Sequence, residues 1–107
     1  MLEMKLARTK EDEERNYKVY EIGCYEVYVT TYKNCYFRMI SVVNKDRSVD
    51  FIPDIYYEDG VFGNGEKKFK IQTISYGALD AAEIQEFIAG YNMAIEVVDV
   101  LTKEFLA

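Results

Sequence analysis

The sequence predicts an α+β domain: a mainly antiparallel, twisted sheet of four to six strands with one long C-terminal helix packed on one face. Three observations carry this. Residues 17–43 are rich in β-branched and aromatic side chains, the composition of strands. Gly23 and Asn34 punctuate that stretch, and both residue types tolerate the left-handed backbone that tight turns need. Asp80-Ala81-Ala82-Glu83 is a capping box, and apolar residues follow it at helical spacing.

The elements follow in order. Leu2-x-Met4-x-Leu6 alternates, as a short strand does. Lys10-Glu11-Asp12-Glu13-Glu14-Arg15-Asn16 is a charged run and reads as an exposed loop or one helical turn. Lys18–Ile22 and Tyr25–Tyr32 are strands joined at Gly23-Cys24, and Lys33-Asn34 turns into a third strand, Cys35–Asn44. Lys45–Ser48 is a loop before a fourth strand, Val49–Tyr57, which Pro53 marks as an edge or a bulge.

A two-residue loop at Lys33-Asn34 sets Val27 opposite Ile40 and Tyr25 opposite Val42; the next loop sets Val42 opposite Phe51. One face then gathers Tyr25, Val27, Val29, Ile40, Val42, Phe51 and Ile55, a core face. The other carries Glu26, Tyr28, Thr30, Phe37, Met39, Ser41, Asp54 and Tyr56. Phe69–Tyr76 reads as the last strand, after a connection holding two competing turn signals, Asp59-Gly60 and Asn64-Gly65.

The helix core face reads as Ile84, Phe87, Ile88, Tyr91, Ala94, Ile95, Val98, Leu101 and Phe105. Ala89, Gly90, Met93, Val97 and Val100 form a second stripe off that face. A helix of about 27 residues is about 40 Å long, whereas a compact domain of this size is about 34 Å across. The second stripe, Met93, Val97 and Val100 above all, therefore reads as a surface for self-association and the chain as a homodimer. A loop or the N-terminal strand covering the stripe is the alternative.

Composition narrows the function. The 107 residues make one domain, 1–107, with a net charge of -6 and no histidine. That removes Ser-His and Cys-His nucleophile pairs and imidazole metal ligands. An acidic chain is a poor general binder of nucleic acid. No segment reaches the roughly 20 apolar residues of a membrane span, and the opening residues lack the apolar run of a signal peptide. A cytoplasmic location is expected, with Cys24 and Cys35 as two free thiols. No cofactor and no metal are expected.

The glycine-rich run Gly60–Lys68 leads into a strand rather than a helix and lacks the Gly-Lys-Ser/Thr step, so it reads as a hairpin loop and not a phosphate loop. Asp50, Asp54, Glu58 and Asp59 offer no carboxylate pair set apart for acid-base work. Glu11, Asp12, Glu13 and Glu14 diverge too much to hold a cation; they read as a solvated run or a protein-binding patch. The ten tyrosines serve as strand-fillers or as interface residues. On the interface reading, Tyr28 and Tyr56 join the four acids as the candidate partner-binding set. Tyr28 and Phe37 with Lys68 and Lys70 would suit base stacking, but the net charge opposes it.

The segment Lys70-Ile71-Gln72-Thr73-Ile74-Ser75-Tyr76-Gly77-Ala78-Leu79, followed by Glu83-Ile84 and the long helix to Leu106, resembles small proteins of phages and mobile elements of Firmicutes. Some small acidic proteins of that kind are anti-CRISPR inhibitors of Cas9, and the resemblance implies a similar inhibitory role. No functional residue is carried over by it. The reading is a non-enzymatic acidic binding protein, whose carboxylates stand in for phosphates on a basic groove. The alternative is a structural or regulatory dimer with no nucleic-acid-related target.

Overall fold

The computed structural model describes residues 2–34, 38–45, 51–58, 65–73 and 75–106. Four antiparallel strands, β1 (Lys5–Glu11), β2 (Arg15–Ile22), β3 (Tyr25–Tyr32) and β4 (Arg38–Asn44), lie in sequence order in one sheet. β5 (Ile55–Glu58) and β6 (Lys68–Ile71) form a second antiparallel pair, and α1 (Ala81–Phe105) closes the chain. This is the α+β architecture expected. Cys35, Phe37, the expected loop after Lys45, the first two residues of the expected fourth strand and most of the 59–67 connection lie outside the described residues.

β1 differs from the short Leu2–Leu6 strand expected, because it runs into the charged segment. Lys10 pairs with Tyr17 and Glu11 with Asn16, while the register shifts between Leu6 and Arg8 and leaves Ala7 as a bulge. An edge strand open to solvent accepts charged side chains readily, so charge did not exclude a strand here.

Asp12 makes the turn into β2. Its Oδ1 accepts the backbone N–H groups of Glu14 and Arg15, both at 2.8 Å. These two bonds, chiefly that from Glu14, hold the Asp12 carboxyl below its ordinary pKa. Asp12→Ala should therefore lower the melting temperature, whereas Asp12→Asn, which keeps the acceptor oxygen, should retain most of it. The Asp12 contribution is fully present above the unfolded carboxyl pKa and is lost as pH falls through the lower folded value. Thermal melts of the three chains across acidic pH check both statements.

Gly23, with φ 56°, turns β2 into β3 so that Ile22 faces Tyr25. β3 and β4 pair Val27 with Val42 and Val29 with Ile40, two residues away from the register expected. A slip of two leaves every side chain on its own face, which is why the core face survives it. The expected pairing of Val42 with Phe51 does not form. Pro53 has no N–H for a ladder, so β5 starts beyond it, at Ile55, and pairs with β6 instead. Pro53 is buried, and its carbonyl accepts the hydroxyl of the fully buried Tyr25.

The core joins Ile22, Tyr25, Val27, Val29 and Ile40 of the large sheet to Ile55 and Phe69 of the small one and to Ala94, Val97 and Leu101 of α1. Here the helix is rotated from the expectation: Ala94 and Leu101 of the expected core face are buried, with Val98 and Phe105 packed against the core, but the isoleucines of that face are not. Ile88 and Ile95 are 52% and 56% exposed, while Val97 is 0% exposed and Gly90 is buried. Both stripes have helical spacing, and the buried side falls between their centres. Gly90 lets the helix approach the Phe51 backbone closely, as a bulky isoleucine would not. Met93 and Val100 are half-buried and pack on the core. The Met93 sulfur lies 3.1 Å from the Cys24 thiol. Val97, Met93 and Val100 therefore belong to the packed side of the helix and not to a free self-association surface.

Candidate functional site

The candidate residues divide between separate surfaces. Glu11, on β1, pairs with Lys33 at 2.6 Å. Asp12 is spent on the turn, and Glu13 and Glu14 are exposed at the hairpin tip. Tyr28 lies on the face of the large sheet turned away from α1. There Arg8 donates to its hydroxyl at 3.1 Å, pairs with Glu26 at 3.1 Å, and sits over the Tyr28 ring. Arg15 sits likewise over Tyr17.

Asp12 and Tyr28 thus meet in one cleft of about 510 Å³, lined also by Arg8, Lys10, Arg15 and Val19. Its character is mixed, with three cations where an acidic patch was expected. Tyr56 is on the small sheet and donates to Gln72 Oε1 at 2.7 Å, so it does not join Tyr28. Lys68 and Lys70 lie on that sheet too, paired with Glu66 and Glu58. The base-stacking set is therefore not assembled with Tyr28, and its Phe37 lies outside the described residues.

Ion pairing shows which acids remain available. Glu21 and Glu26 on the large sheet, and Glu58 on the small one, each have a cation at 3.1–3.5 Å. On α1, Glu83 closes the capping box with Asp80, and Asp99 holds Lys103 at 2.9 Å. Among the described residues, no ion pair forms at Glu86, Glu96 or Glu104, all exposed.

One of these acids rims a second cleft. Residues 2–4 run beside the end of α1, and Leu2, Glu3, Met4, Asp99, Val100, Lys103 and Glu104 enclose about 420 Å³. Leu2, Met4 and Val100, each half-buried, supply an apolar floor. Glu3, Asp99 and Glu104 supply carboxylates, with Lys103 already bound to Asp99. The C-terminal end of the helix adds its negative partial charge. A lysine or arginine side chain has matching parts, an apolar stem and a cationic head. Sequence reasoning missed this site because Glu3 and Glu104 are far apart in the chain. Val100 alone was singled out, for a different role.

Among the described residues no cluster of three or more Cys, Asp or Glu is placed to hold a metal ion, and no helix is long and apolar enough to cross a membrane. No family model, no curated protein and no solved structure matches the chain.

Proposed function

We propose that the protein is a non-enzymatic binding protein whose partner carries a basic surface, such as the nucleic-acid groove of an effector of the Cas9 kind. On this reading, the cleft between residues 2–4 and the end of α1 receives a lysine or arginine of that partner. The observation that carries it is the joining of an apolar floor to three carboxylates at a helix C-terminus, with Lys103 of the rim already paired to Asp99. The net charge of -6 supports it further, by drawing a basic partner into encounter.

The test is binding to a purified Cas9, with and without guide RNA, at several salt concentrations. Affinity should fall as salt rises, because exposed charges are screened over about 8 Å at physiological ionic strength. The double variant Glu3→Lys, Glu104→Lys should weaken binding about tenfold or more, mainly through association. Glu13→Lys, at the hairpin tip, should change little. A partner bound equally well by the double variant, or one with a neutral or acidic contact surface, overturns the reading.

A further inference from the structure

Ile84, Ile88 and Ile95 are exposed on α1 although the helix is packed on a sheet. With the half-buried Tyr91 and Val98 they recur at alternating steps of four and three, 84-88-91-95-98. That is the repeat by which one helix packs against another, knobs into holes. The seam extends about 21 Å along the helix. We propose that this seam pairs with the same seam of a second copy of the chain, antiparallel about a twofold axis.

Charge and shape both select a second copy as the occupant. The margin of the seam carries the uncharged Gln85 and Asn92 and also Asp99, whose carboxylate is already bound to Lys103, whereas Glu86 and Glu104 fall on the opposite side of the helix by its 100° period. A basic partner would find no carboxylate to meet at the centre of this stripe, and a second copy brings only apolar side chains to that centre. Antiparallel pairing sets Ile84 against Ile95 of the second copy and Ile88 against Tyr91 of the second copy. Gln85 and Asn92 then face each other across the margin as hydrogen-bonding amides. Parallel pairing would instead set tyrosine on tyrosine and align the two helix dipoles unfavourably. The seam shares no residue with the cleft at residues 2–4, so the pairing stands or falls independently of the proposed binding role.

Sedimentation equilibrium of the full chain tests the pairing. The wild type should be a dimer at micromolar concentration. Ile95→Glu places two unpaired charges in each twofold seam and should weaken the dimer about a hundredfold or more. Ile88→Gln should weaken it to a lesser degree. Both side chains are more than half exposed, so circular dichroism should show the fold intact. Met39→Glu, a charge on the sheet face away from the helix, should leave the dimer in place. In a Cys24→Ser, Cys35→Ser background, mixed Ile84→Cys and Ile95→Cys chains should form disulfides between unlike chains. A wild type that stays monomeric to about 0.5 mM, or a folded Ile95→Glu chain that dimerises as tightly as wild type, overturns the proposal. Crosslinking of Ile95→Cys chains alone overturns the antiparallel arrangement.

Discussion

Val97→Glu should abolish the cooperative thermal transition of this protein. Val97 is 0% exposed, within a cluster that contains Ala94, Leu101 and strand residues from both sheets. The Tyr25 hydroxyl in that cluster already donates to the Pro53 carbonyl, and no charged side chain is buried among the described residues, so no cation is at hand to pair a new carboxylate. Burying it costs several kcal/mol even if it takes up a proton, against a total stability of about 5–15 kcal/mol for a domain. Ile88→Ala and Ile95→Ala, by contrast, should each cost less than about 1 kcal/mol in the monomer, as exposed substitutions do. Melts followed by circular dichroism at low protein concentration compare the three. A folded Val97→Glu chain beside a collapsed Ile95→Ala chain would mean that the helix is rotated about its axis from the orientation described.

Gly90→Ala should destabilise the protein by about 1–3 kcal/mol, the range for forcing an extra methyl group into a packed site. The sign is the informative part. In an ordinary helix interior, glycine to alanine stabilises by up to about 1 kcal/mol. At Gly90 a Cβ would lie deep inside the van der Waals envelope of the Phe51 carbonyl oxygen and 3.0 Å from its carbon. Both are main-chain atoms, so no rotamer change relieves the clash; the helix or the segment before Pro53 must shift. Denaturant melts of Gly90→Ala beside those of the exposed neighbour Ala89→Gly check it. The first should lose stability through crowding and the second by the usual glycine penalty. A stabilised Gly90→Ala chain would show that helix and loop are not in contact there.

Much of the fold was legible because turns and caps are written locally. Gly23 ends one strand and begins the next, and Asp80 with Glu83 fixes where the helix starts. The sheet faces were legible for a subtler reason. Alternation has a period of two, so a register error of two residues between β3 and β4 moved no side chain to the wrong side. The helix offered no such protection. Its two stripes have the same period, and counting apolar residues favoured the richer one. The packed side takes residues from both, Ala94 and Leu101 from the richer stripe and Gly90 and Val97 from the other, because the close approach of main chains at Gly90 excludes bulk there. The acids were misjudged for a related reason. Glu11 to Glu14 look like one patch only along the chain. In the hairpin, one of them meets Lys33 and another caps the turn, while Glu3 and Glu104 come together from opposite ends.

The bulge at Ala7 has a consequence for how large any assembly can grow. Along β1, the bulge breaks the even spacing of main-chain groups, and Lys5, Arg8 and Lys10 stand beside it. A foreign strand laid along that edge would lose its register at Ala7 and bring its own side chains up against Lys5 and Lys10. The sheet is therefore a poor template for continuation from that side. The seam proposed above, related by a twofold axis, would be used up once two copies meet. The β-rich composition, with its many tyrosines, is thus guarded against strand addition at the first strand of the sheet.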